Sequence, residues 1–129
     1  MNNTTNLFSL ATKAAQKAYC PYSKFAVGSA ILSTNGNFYF GCNVENISYP
    51  VGTCAEAGAI SAMIANGDTS IAEILIYADS QELISPCGAC RQRIAEFATS
   101  QTLIHVANKQ GTIKTYNITE LLPHSFSEF

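Results

Sequence analysis

The chain has 129 residues, a formal net charge of −2 and 47% hydrophobic content, which fits one domain over 1–129 with a real core and leaves no length for a second. Its seven Lys plus Arg are scattered from Lys13 to Lys114 and form no basic stripe, which argues against tight binding to a long nucleic acid. Its apolar runs fall far short of the ~20 residues that cross a bilayer. The start Met1-Asn2-Asn3-Thr4-Thr5 lacks the charged and apolar blocks of a signal peptide, so a soluble, cytoplasmic protein is expected. In that setting five cysteines read as metal ligands plus bystanders rather than disulfides, since an odd count leaves one over in any complete pairing.

In chain order, Asn6 to Ala18 carries Leu7, Leu10, Ala11, Ala14 and Ala18 at helical spacing and predicts an amphipathic helix. Phe25 to Ser33 and Phe38 to Asn43 are rich in strand formers and flank Thr34-Asn35-Gly36-Asn37, the pattern of a β-hairpin with an Asn-Gly turn. A loop through Tyr49-Pro50-Val51-Gly52 follows. Cys54 to about Asn66 reads as a helix stopped by Gly67. Ile71 to Ala78 predicts a short buried strand, and Gly88 to Ala98 a helix whose Cys90, Ile94 and Phe97 share the inward face. Leu103 to Ala107 and Thr112 to Tyr116 predict two more strands, ahead of a short helix near Thr119 to Leu122 and a tail with Phe126 and Phe129. About five strands mixed with four helices predict an α/β fold, a sheet covered by helices on its faces.

Chemistry concentrates in Cys54-Ala55-Glu56 and Pro86-Cys87-Gly88-Ala89-Cys90. Cys87 and Cys90 stand three apart at a turn-to-helix junction, which brings both sulfurs within reach of one ion. Redox dithiols share that spacing, and buried cysteines also serve as core fillers. Cys54 opens another predicted helix, so two helix N-termini, with their free N–H groups and partial positive charge, could converge with all three thiols at their tips. Three thiolates leave a tetrahedral Zn²⁺ one position short, which is the mark of a catalytic rather than a structural site. Glu56 has two readings. Thr53-Cys54-Ala55-Glu56 matches a capping box, in which Glu folds back on the helix start; beside a metal, the same carboxylate is placed to carry a proton.

The chain resembles the zinc-dependent cytidine deaminases of the small, homotetrameric type over nearly its whole length. The resemblance lies in Cys20-Pro21-Tyr22-Ser23-Lys24-Phe25 with Val27-Gly28, Gly41-Cys42-Asn43-Val44-Glu45-Asn46, Cys54-Ala55-Glu56, Ser85-Pro86-Cys87-Gly88-Ala89-Cys90-Arg91-Gln92, and Leu121-Leu122-Pro123. It implies a three-layer α/β/α sandwich with a mixed five-stranded sheet. It also implies one Zn²⁺ per subunit on Cys54, Cys87 and Cys90, with Glu56 as the catalytic proton shuttle. Asn43 and Glu45 are then expected to hydrogen-bond the ribose, Phe25 to pack on the pyrimidine, and Ala55 to contact the substrate. Phe126 is expected to reach a neighbouring subunit's site, and Tyr49 to line one. The implied activity is hydrolysis of cytidine and 2′-deoxycytidine to the uridine product and ammonia, in pyrimidine salvage.

Many relatives carry an Arg directly after the catalytic Glu, where this chain has Ala57 and Gly58. The helix N-termini, or Arg91, are the candidates for balancing the thiolate charge, and a solvated surface position is the plain alternative for Arg91. Cys20 and Cys42 are expected to be packing residues. Two rival readings remain: a deaminase of another nucleoside-like compound or base, and a non-catalytic zinc-stabilised module. The latter needs a fourth protein ligand, and His105 and His124 lie outside the motifs.

Overall fold

The computed structural model describes residues 2–129. The first helix, α1 (Asn3–Ala15), begins where the Asn2 side chain accepts the Thr5 N–H at 2.8 Å, and it buries Leu7, Ala11, Ala14 and Ala15 along one stripe. It starts and stops three residues before the expected bounds. Its last turn tightens through Lys17 N–H to Ala14 O and Ala18 N–H to Ala15 O, after which Tyr19 leaves to donate to Asn43 O.

Strands β1 (Val27–Ser33) and β2 (Phe38–Cys42) form the expected hairpin. Ser33 N–H bonds Asn37 O at 2.9 Å, which leaves the three-residue loop Thr34-Asn35-Gly36, and Gly36 takes the left-handed position at φ +87°, the usual three-residue solution rather than a two-residue turn. Tyr49–Val51, expected as loop, winds into a short 3₁₀ turn. Helix α2 (Ala55–Ala65) ends in a paired reverse turn: Gly67 N–H meets Ile64 O, Asp68 N–H meets Met63 O, and Gly67 sits at φ +93°. Strand β3 spans Ile71–Ala78 and α3 spans Gly88–Phe97, both close to expectation.

Strand β4 (Ala98–Ala107) starts directly after α3, five residues before its legible part. Its polar first half, Thr99-Ser100-Gln101, runs through a register shift opposite Ile71/Glu73 and is pinned by Thr102 Oγ1, which donates to Ile71 O and accepts from Thr99 N–H. Strand β5 covers Ile113–Tyr116. The last helix, α4 (Ile118–Leu121), begins one residue early because Asn117 and Glu120 form a reciprocal capping box.

The sheet order is β2-β1-β3-β4-β5, with β3 and β4 parallel and the other neighbours antiparallel. Alternation along the strands sorts the core into two halves. Ala30, Leu32, Leu75, Tyr77 and Ala107 face α1, while Ile31, Ile74, Ile76 and Ile104 face Ala59, Ile60 and Met63 of α2, Ile94 of α3 and Leu121 of α4. The result is the expected α/β/α arrangement with a mixed five-stranded sheet. Each fully buried Ile or Leu contributes about 1.5–3 kcal/mol, so both halves stabilise the sheet.

Two close approaches set the layer spacing. A Cβ on Gly28 would fall 1.9 Å from Ala11 O of α1, and one on Gly41 would fall 2.5 Å from Ala59 N and 2.8 Å from Ala55 O of α2. Beyond the far end of α2, the Asp68 carboxylate ties that helix to the hairpin. It accepts from Ser33 Oγ (2.7 Å), Asn35 Nδ2 (2.7 Å), Asn37 Nδ2 (2.9 Å) and Tyr39 OH (2.8 Å).

Candidate functional site

Helices α2 and α3 begin at Cys54 and Cys87, both extended N-cap residues whose side chains make no capping hydrogen bond. Their thiols are left free for another partner, and Cys90 lies one turn into α3, fully buried. The three sulfurs lie within 4.8 Å of one another. Tetrahedral ligation at a Zn–S distance of 2.3 Å needs sulfurs about 3.8 Å apart, so small side-chain adjustments suffice, and the all-thiol donor set suits zinc. Among the described residues these three make up the ligand cluster. His105 offers no fourth ligand there; its ring nitrogens meet Glu73 at 2.8 Å and Thr115 at 2.7 Å.

Thr53 gives its N–H to Val44 O at 2.9 Å, so the capping-box reading of Glu56 has no free N–H to close on. Glu56 points into the protein and is 4% exposed. Burial pushes its carboxyl up from the ordinary value, against the pull of its own N–H, the Cys90 thiol and the charge of Arg93. Burial likewise raises the Cys54 and Cys90 thiols. At Cys87 burial is outweighed by the Cys90 N–H and the two neighbouring thiols, and its thiol is held below the ordinary value.

A cavity of about 270 Å³ opens over this group. Phe25, Asn43, Ala55 and Glu56 line it together with Cys54 and Cys87, and Ile84, Ser85 and Pro86 form part of its wall. A second cavity of about 400 Å³ shares Thr53 and Cys54 with it and holds Glu45, Ser23, Tyr22 and Tyr49. The larger space is not the one beside the chemistry: Glu56 and Cys87 belong to the smaller.

The polar residues of this region are already ordered. Asn43 accepts the Val27 N–H at 2.9 Å and donates to Phe25 O at 2.8 Å, clamping the start of β1. Glu45 accepts the N–H groups of Tyr22 (3.0 Å) and Ser23 (3.1 Å) and the Ser23 hydroxyl. That hydroxyl, ahead of the backbone donors, holds the Glu45 carboxyl below the ordinary range against a smaller effect of burial. Tyr49 is 72% exposed and packs its ring against Tyr22. Phe126 is not brought to either cavity. Its backbone is held by the Gln92 amide at 2.9 and 3.1 Å, and its ring is 66% exposed.

Arg91 does not reach a sulfur. Its Nε donates to Pro86 O (2.8 Å), Nη1 to Leu121 O (2.8 Å) and Nη2 to Ser85 Oγ (3.0 Å), so it is neither a thiolate partner nor a solvated surface residue but a tie between the Ser85-Pro86 wall and α4. The cation at the cluster is Arg93, whose Nη1 donates to Cys90 Sγ at 3.3 Å. Sequence reasoning missed it, although Cys90 and Arg93 stand at i, i+3 on one helix, the spacing at which side chains meet. Ser23 was also missed as the partner of Glu45. Cys20 and Cys42 are partly buried free thiols outside the cluster.

Residues 1–106 match the family model described as the cytidine and deoxycytidylate deaminase zinc-binding region. A cytidine deaminase of Sporosarcina psychrophila is 42% identical over 116 residues, covering 90% of this chain and 85% of that protein. The 1.6 Å crystal structure of cytidine deaminase from Burkholderia pseudomallei superposes with a TM-score of 0.91 at 37% identity, covering 98% of this chain and all of that one. That of cytidine deaminase from Mycobacterium tuberculosis gives 0.85 at 34% identity, covering 99% of this chain and 100% of that one.

Proposed function

We propose, from the premise that this chain belongs to the cytidine and deoxycytidylate deaminase family and is a zinc-dependent hydrolytic deaminase, that it converts the free nucleosides cytidine and 2′-deoxycytidine to their uridine products and ammonia. The observation that carries the reading is a buried, proton-avid carboxylate, Glu56, sharing one cavity with a cluster of three thiols. Cys54, Cys87 and Cys90 would hold Zn²⁺, which would supply the Lewis acidity that makes water a nucleophile at neutral pH.

Glu56 then moves the protons. Its carboxylate accepts one from the attacking water as the C4–O bond forms and delivers it to N3 of the pyrimidine. A second proton passes from the new hydroxyl through Glu56 to the amino nitrogen, the C4–N bond breaks, and C4 is left as the carbonyl of the uridine product with ammonia released. Burial keeps the proton affinity of Glu56 high, which suits a group that must accept and return a proton in one turnover.

Phe25 and Ala55 are assigned to the base, and Asn43 and Glu45 to the ribose, where an ionised Glu45 accepts from a sugar hydroxyl. Lys and Arg are absent from the residues lining either cavity, which favours a nucleoside over a nucleotide, since a phosphate needs cationic or N–H donors. Tyr49 and Phe126, exposed in one chain, are assigned to sites shared between subunits of a homotetramer. Among the described residues no helix is long and apolar enough to cross a membrane, and a cytoplasmic role in pyrimidine salvage accords with this.

Zinc per chain and ammonia release should be measured on one sample with cytidine, deoxycytidine, cytosine and dCMP. One zinc and turnover of the two nucleosides is the expected result. Turnover of cytosine but not cytidine would remove the sugar roles of Asn43 and Glu45, and a metal-free active sample would remove the zinc role.

A further inference from the structure

The charge around the three thiols is lopsided. A dication on three thiolates carries a net −1, and an ionised Glu56 makes it −2, in a place where Cys90 is fully buried and Glu56 nearly so. Water cannot screen charge well there, so it must be met by fixed dipoles or a cation. The N-termini of α2 and α3 supply partial charges. Arg91, the nearest Arg in sequence to Cys90, spends its donors on Pro86, Leu121 and Ser85 instead.

We infer that Arg93 is a positioning residue of the metal centre, holding the Cys90 sulfur in place and offsetting the negative charge that the thiolates and Glu56 gather beneath the cavity. The inference rests on the reading that Cys54, Cys87 and Cys90 hold zinc. Its direct support is the contact of Arg93 Nη1 with Cys90 Sγ at 3.3 Å. Guanidinium keeps its charge at every physiological pH. The side chain starts from an exposed position on α3 and reaches inward to a buried sulfur. Because Arg93 lines neither cavity, it acts through Cys90 and does not touch the nucleoside.

Arg93→Ala, Arg93→Gln and Arg93→Lys should be compared with the parent by zinc retained against a competing chelator, by kcat and KM for cytidine, and by Tm after the metal has been stripped. Partners behind metal ligands typically account for roughly 10–100-fold in metal affinity or activity. Arg93→Ala is expected to lose that much in zinc retention or kcat, with KM and the stripped-protein Tm unchanged. Arg93→Lys should recover most of the loss, and Arg93→Gln, which keeps a donor without charge, should recover little. An Arg93→Ala protein that keeps its zinc and its kcat overturns the inference, as does a loss confined to stripped-protein stability. Arg93→Gln at parental values overturns the charge role. If instead the parent holds no zinc and Cys90→Ala leaves turnover intact, the zinc reading beneath the inference has failed.

Discussion

Helix α2 carries a nearly buried carboxylate at each end, and the two have opposite fates. Glu56, in the first turn, is 4% exposed and pushed up by burial; Asp68, just past the last turn, is 6% exposed and held far below the ordinary carboxylate range. Burial alone therefore does not set the outcome. Asp68 receives four side-chain donors, from Asn37, Asn35, Ser33 and Tyr39, which stabilise its charge. Glu56 has no such set, and its main neighbours are thiols. A satisfied buried carboxylate fixes structure, and an under-satisfied one at the wall of a cavity is free to trade protons.

The strongest way to break this contrast is Glu56→Gln. It should cost about 10²–10⁴ in kcat while zinc content and far-UV signal stay parental; a rate near the parent's would return Glu56 to the role of a structural side chain. Gly41→Ala comes next. Its new Cβ would press on α2 backbone at Ala59 and Ala55, so α2 must move, and overpacking of this kind costs about 1–3 kcal/mol. Because Cys54 and Glu56 ride on that end of the helix, activity and zinc retention should fall with Tm. Gly28→Ala presses on α1 across the sheet and should lower Tm while sparing zinc retention.

Asp68→Asn tests the other end of α2. It should lower Tm at neutral pH and leave kcat per folded molecule unchanged. A carboxylate with a depressed folded pKa stabilises the fold above its unfolded value of 3.8, and that stability is lost as pH falls below it. The Tm gap between parent and Asp68→Asn should thus be full at pH 6–7 and close as the pH drops below about 4. The smallest effect is expected for Ser23→Ala, which takes one of three donors from Glu45. A modest rise in KM with kcat near parental would place Glu45 between the two extremes.

Much of this was legible in the sequence, and the exceptions share a cause. Cys54, Cys87, Cys90 and Glu56 lie together because helix starts are marked by local residue type and the hydrophobic period fixes which face turns inward, whereas Phe25 and Asn43, which line the same cavity, were legible only through the family resemblance. Asp68 was invisible, since its donors come from a hairpin some 30 residues away. The early start of β4 was hidden by Thr99-Ser100-Gln101, whose place in the sheet depends on Thr102 bonding Ile71 of the neighbouring strand β3. Arg91 and Arg93 stand two residues apart; Arg91 was a candidate for balancing the thiolates beside the helix N-termini, yet Arg93 is the one that reaches a sulfur, and the difference is the direction in which each leaves the helix.

The direction in which each side chain leaves α3 limits how that helix can change. Four successive residues look three ways: Cys90 and Arg93 to the thiol cluster, Arg91 to the Ser85-Pro86 wall and α4, and Gln92 to the C-terminal tail at Phe126. Each further residue turns a helix by about 100°. A single insertion or deletion in the turn before Cys90 would re-aim all four at once, so this stretch should tolerate substitutions one at a time while rejecting any shift of frame.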